Sequence, residues 1–211
     1  MKKIFLTSSV NTVANRIAKD LGSGKGLKLA FIDTASEIEK GDLEWLKADR
    51  DALIAAGFLV TDYTITGKSK DDIASQLEKF DAIFFSGGNT FYLLDQIQKS
   101  DCTEVIAELV EDGKIYIGSS AGSIIAGPSI YPAYAKEEAD QVPELENYEG
   151  LGLTDIVVEP HWGSDIFRDW YLDETMRYAY STAYKILLLT DNQYLKIVDD
   201  DYKIIDITKD L

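Results

Sequence analysis

Cysteine occurs once in the 211-residue chain, and so does histidine. With Cys102 alone, no intrachain disulfide can form. The residue reads as a small buried apolar side chain in a reducing compartment rather than as a catalytic thiol. Cations are also scarce, 21 Lys and Arg against 37 Asp and Glu, for a net charge of -16. A chain so acidic repels phosphate backbones and anionic headgroups, which argues against nucleic-acid and membrane-surface partners. Long apolar runs are missing too. The start is basic, but the apolar run after it is far shorter than the roughly 7–15 residues of a signal-peptide core. The longest low-polarity run, from Ala52 to Val60, is about half of what a membrane span needs. The expectation is a soluble, cytoplasmic protein.

What is present is enough apolar material for a core: 45% of residues are hydrophobic and 27% charged, which excludes disorder. No internal repeat, low-complexity tract or linker breaks the chain, so one α/β domain over residues 1–211 is expected. Short apolar runs at 3–7, 28–34, 60–65, 82–85, 115–118, 155–159 and 186–189 read as strands. Helical spacing marks 10–21, 43–56, 73–80, 90–100, 103–111 and 164–183 between them. This alternation predicts a mostly parallel, doubly wound sheet with helices on both faces. Residues 194–198 and 202–207 flank three aspartates and read as a C-terminal β-hairpin. Residues 131–150, with Pro132, Pro143 and several carboxylates but no clear period, read as a long surface loop or flap. In such sheets functional groups collect at the carboxyl ends of the strands.

One strand ends in Gly118-Ser119-Ser120-Ala121-Gly122. Glycine two before and two after Ser120 is the pattern of a nucleophile elbow, in which a sharp strand-to-helix turn lifts a serine hydroxyl clear of the sheet. The plain alternative is a glycine-rich turn that packs strand on helix. A phosphate loop would carry more glycines or a lysine.

His161 follows the run 156–160, which places it at the end of a strand expected beside the elbow strand, on the active edge of the same sheet. Histidine is the residue type suited to moving protons at neutral pH, and here it is the one available partner for Ser120. Gly87-Gly88 ends another strand. Either Gly88 supplies an oxyanion-binding N–H beside that of Ala121, or the pair is a plain turn with Asn89 or Thr90 as helix N-cap.

Ser86-Gly87-Gly88-Asn89-Thr90-Phe91, Ile117 to Gly122 and Pro160-His161, in that order and spacing, resemble the dipeptidase E family of serine peptidases. These are the alpha-aspartyl dipeptidases, related to cyanophycinases. The resemblance covers nearly the whole chain and implies a three-layer fold of the class I glutamine amidotransferase-like, flavodoxin-like kind. It also implies Ser120 as nucleophile, His161 as base, an oxyanion hole from Gly88 and Ala121, and Asn89 at the substrate. The reaction would be cleavage of a short peptide near its amino terminus, without metal or cofactor.

The sequence departs from that family at the third triad member, whose place is taken by Ala135. Nearby acids are Glu137, Glu138 and Asp140, and the cyanophycinase-like offset favours Glu138. Failing these, a backbone carbonyl or Asp191 would orient His161. An acidic substrate wants an arginine nearby; Arg168, two helical turns after His161, is the candidate, unless it is a surface cation. Two further readings stay open, a catalytically silent binding member of the fold and a serine esterase or amidase. Oligomeric state is not legible in the sequence.

Overall fold

The computed structural model describes residues 1–22 and 25–209. In chain order the elements are β1 Lys3–Thr7, α1 Val10–Asp20, β2 Lys28–Ile32, α2 Glu44–Ala55, β3 Leu59–Tyr63, α3 Lys70–Leu77, β4 Ala82–Phe85, α4 Thr90–Lys99, α5 Thr103–Glu111 and β5 Ile115–Ser119. The second half runs α6 Ala121–Ile124, α7 Lys136–Ala139, β6 Ile156–Glu159, α8 Arg168–Trp170, a π turn Tyr171–Thr175, α9 Met176–Tyr180, β7 Lys185–Leu188, β8 Gln193–Val198 and β9 Asp201–Asp206.

Seven strands form one sheet in the order β3-β2-β4-β5-β1-β8-β9. The first five are mutually parallel, while β8 and β9 are the expected antiparallel hairpin, attached through β8 to β1. Strand alternation sorts the buried side chains onto two faces. Phe5, Phe31 and Phe84 join Val10, Val13 and Ile17 of α1 and Leu53 of α2. Leu6, Ile32, Ile83 and Phe85 join Ile73 of α3, Leu93 and Ile97 of α4 and Ile106 of α5. The result is three layers, helices over both faces of a central sheet. No described helix is long and apolar enough to cross a membrane.

The structure corrects the sequence reading in two places. Strand β6 does not extend the main sheet. It pairs in parallel with β7 as a separate two-stranded sheet and packs against α6. A buried strand such as β6, with four buried residues in a row, carries no signal that says which sheet it joins. Nor is 131–150 a free flap: Pro132, Ala133, Ala135, Val142 and Leu145 are buried. Phe91 of α4 meets Tyr134 and Tyr148 edge to face, at centroid distances of 5.4 and 5.9 Å. Tertiary burial, not periodicity, holds this segment.

Candidate active site

Strand β5 is in register with β1, Thr7 opposite Ser119, and the chain turns at the next residue. Ser120 N–H donates to Thr7 O at 3.0 Å. Its φ of 50° and ψ of -112° lie in a region that a residue with a Cβ occupies only under constraint. The flanking glycines supply that constraint. A Cβ on Gly118 would stand 2.3 Å from Gly122 O, and one on Gly122 would stand 2.1 Å from Phe85 O. The turn therefore packs backbone on backbone, and Ser123 locks it by accepting from Thr7 N–H at 2.8 Å.

His161 also has a positive φ, 60°. Its N–H donates to Ser8 Oγ at 3.0 Å, and Ser8 Oγ donates to Leu189 O at 2.8 Å. Its ring stacks on Phe167, with centroids 4.5 Å apart and planes 13° from parallel. Nδ1 lies 2.7 Å from Oδ1 of Asp191. Because β6 and β7 are paired, the segments after their carboxyl ends are neighbours, which brings His161 and Asp191 together. With Nδ1 given to Asp191, Nε2 is left for a proton acceptor's work.

Ser120 and His161 line the same two connected cavities without a hydrogen bond between them. One, of about 240 Å³, is bounded by Gly88, Thr90, Ile124, Ala133, Glu138, Pro160, Phe167 and Trp170 as well. Among the described residues, the N–H groups of Gly88 and Ala121 donate to no protein acceptor. Two free donors beside a serine hydroxyl are what an oxyanion requires. A larger hollow of about 540 Å³, lined by Met176, Ala179, Tyr180 and Ile186, shares no residue with these cavities.

Several residues expected at the site are placed otherwise. Glu138 lines both cavities but has no hydrogen bond to His161; its Oε2 accepts from Thr90 N–H at 3.1 Å, at the amino end of α4. That helix end, with its unsatisfied N–H groups, attracts the carboxylate. Desolvation, with smaller contributions from Glu39 and Glu174, raises the Glu138 pKa to about 7. Glu137 is exposed, and Asp140 pairs with Lys136 at 2.5 Å. Asn89 is buried and caps α4, its Oδ1 accepting from Tyr92 N–H at 2.9 Å. Arg168 is exposed and lines neither cavity.

Sequence reasoning missed Asp49. It is 4% exposed, accepts from Asn11 N–H and Nδ2 at 3.1 and 2.8 Å, and receives Ser119 Oγ at 3.2 Å. Desolvation raises its pKa to about 6. Among the described residues no group of three His, Cys, Asp or Glu is placed to hold a metal ion.

Glu159, two residues before His161, is fully buried with both carboxyl oxygens unpartnered. Tyr171 beside it gives its hydroxyl to Pro160 O. Desolvation raises the Glu159 pKa from 4.5 to about 8. The folded chain thus keeps a proton that the unfolded chain releases between those values. Its stabilising effect is fully present below about pH 4.5 and is lost as pH rises through 8. Glu159→Gln is expected to flatten this decline, leaving the variant more stable than the parent near pH 8 by on the order of a few kcal/mol. Melting temperatures of both chains at about pH 5 and 8 check it; parallel slopes would show that Glu159 does not ionise on unfolding.

A family model described as Peptidase family S51 matches residues 4–205. An uncharacterized peptidase of Listeria innocua is 30% identical over 95% of each chain. An uncharacterized peptidase of Pasteurella multocida is 31% identical over 97% of each. The solved structure of a candidate peptidase E protein from Listeria monocytogenes EGD-e superimposes with a TM-score of 0.88, at 29% identity and 98% coverage of both chains.

Proposed function

The chain belongs to peptidase family S51, and on that footing we propose that it hydrolyses short peptides near the amino terminus through an acyl-enzyme on Ser120. The observation that carries this reading is the strained turn at Ser120, which shares its cavities with a histidine already engaged by a carboxylate on the other ring nitrogen. In it, Ser120 Oγ attacks the scissile carbonyl and His161 Nε2 takes the hydroxyl proton. Gly88 and Ala121 N–H groups receive the charge that develops on the carbonyl oxygen. His161 then gives the proton to the departing amine, and water repeats the sequence in reverse to release the acid. Asp191 holds the imidazole in the tautomer that leaves Nε2 unprotonated and stabilises the imidazolium.

A fluorophosphonate probe is expected to label the intact chain at Ser120, and mass spectrometry of the digested adduct locates it. Labelling elsewhere, or none, removes Ser120 from the role. A dipeptide panel then separates peptidase from esterase chemistry.

The carboxylate assignment carries its own expected result. Asp191→Asn should lower kcat by roughly 10⁴-fold, because an amide favours the wrong tautomer and cannot stabilise the imidazolium. The kcat loss in Glu138→Gln should be smaller by about two orders of magnitude or more, since its oxygen serves Thr90 N–H rather than His161. Turnover measured on one dipeptide with both variants decides between the two acids.

A further inference from the structure

The two cavities meet at Ser120, and their walls differ in charge. One is faced by Ile124, Ala133, Pro160, Phe167 and Trp170. The other, of about 420 Å³, is faced by Asn11, Trp45, Asp49 and Glu39, and Glu138, His161 and Phe167 stand in both. Among the described residues no lysine or arginine lines either one. An aspartyl side chain placed here would find three acidic side chains and no lysine or arginine to receive it.

Resting on the reading of Ser120 as nucleophile, we propose that this peptidase selects peptides with a lysine or arginine side chain beside the scissile bond. Glu39, Asp49 and Glu138 receive the cation in the lobe walled by Trp45, and substrates with aspartate or glutamate at that position are rejected.

The acidic residues do not define the site; the hollow does. Ser120 and the free N–H groups of Gly88 and Ala121 fix where a peptide carbonyl sits, so the lobe next to them must take one of its side chains. Charge then decides which. Glu39 is exposed at the rim, and its carboxylate has neither hydrogen bond nor ion pair among the described residues. Asp49 lies deeper, held in place by Asn11 and Ser119. Trp45 is 38% exposed and offers a flat apolar wall. A long basic side chain suits this sequence of surfaces, its methylene stem on the indole and its charged head among the carboxylates. A leucine would fill part of the lobe but leave the carboxylates without a counter-charge. An aspartate would instead bring its own carboxylate beside these acidic groups with no lysine or arginine to pair it, which disfavours binding. The net charge of -16 acts in the same direction at longer range, drawing cationic peptides toward the protein.

The test is calorimetric titration of the full chain carrying Ser120→Ala, which binds without turning substrate over. Lys-Ala, Arg-Ala, Leu-Ala and Asp-Ala probe one side of the scissile bond; Ala-Lys, Ala-Leu and Ala-Asp probe the other. In one of the two series the basic peptide should bind about tenfold or more tighter than the leucyl one, and the aspartyl peptide most weakly. Added salt should weaken the basic peptide more than the leucyl one. Glu39→Lys, a change at the rim that leaves the core intact, should erase or reverse the basic-to-leucyl ratio. Equal affinity for basic and leucyl peptides in both series, tighter aspartyl binding, or no binding by any peptide overturns the proposal. Fluorophosphonate labelling of the unaltered chain reports separately on the nucleophile. Failed labelling with the basic preference intact retires the mechanism and keeps the pocket.

Discussion

Ser120→Ala is expected to reduce turnover by about 10⁶-fold, the loss that follows when the nucleophile of a triad is removed and only binding and oxyanion stabilisation remain. The fold should survive it. Ser120 is anchored by its backbone N–H to Thr7 O, a bond that alanine keeps, and its side chain makes no hydrogen bond within the described residues. A second substitution separates chemistry from strain. At φ 50° and ψ -112° a side chain bearing Cβ is held against its preference, whereas glycine is at ease there. Ser120→Gly should therefore be equally inactive yet more stable than the parent by about 1 kcal/mol. Denaturant midpoints and turnover on one dipeptide measure both effects. Activity within tenfold of the parent in Ser120→Ala would show that the elbow only packs strand on helix. A destabilised glycine variant would show that the turn carries no strain.

The elbow was legible because it is local. Gly118, Ser120 and Gly122 sit within five residues, and the reason for each glycine, backbone packed against backbone, is the same in the sequence pattern and in the structure. The parallel core was legible for a similar reason: β1 to β5 alternate with helices, and that order admits few topologies. His161 could be singled out as the chain's one histidine, but its sheet could not. Whether β6 joins β5 or pairs with β7 depends on contacts with α6 that no strand pattern records.

The acid was harder still. The resemblance to cyanophycinases points to Glu138 through an offset from Ser120, a one-dimensional quantity, while Asp191 reaches His161 because two strands far apart in sequence end side by side. Asn89 shows the opposite case. Its N-cap role follows from a local rule about helix starts, and that rule outweighed the position it shares with a glycine pair. Asp49 left no signal at all: it lies in the middle of α2, and only the packing of α2 against α1 turns it toward Ser119.

On the proposed mechanism, removing His161 should cost as much as removing Ser120, and the choice of substitution matters because His161 has φ 60°. Asparagine tolerates that conformation better than most residues, so His161→Asn removes the imidazole with little added backbone strain. Its N–H bond to Ser8 Oγ is a main-chain contact and is retained; the stack on Phe167 and the bond to Asp191 are lost. Turnover should fall by about 10⁶-fold. Three groups that act on one proton do not contribute independently, so the pairs are more informative than the single changes. Adding His161→Asn to Ser120→Ala should cost almost nothing further, because a base without a nucleophile has no proton to take. Adding Asp191→Asn to His161→Asn should likewise be silent, since Asp191 acts only through the imidazole it orients. Turnover of the single and double variants on one dipeptide gives both coupling terms. If the losses multiply instead, the residues act separately, and the base that serves Ser120 must be sought among the other groups lining the cavity, with Glu138 first.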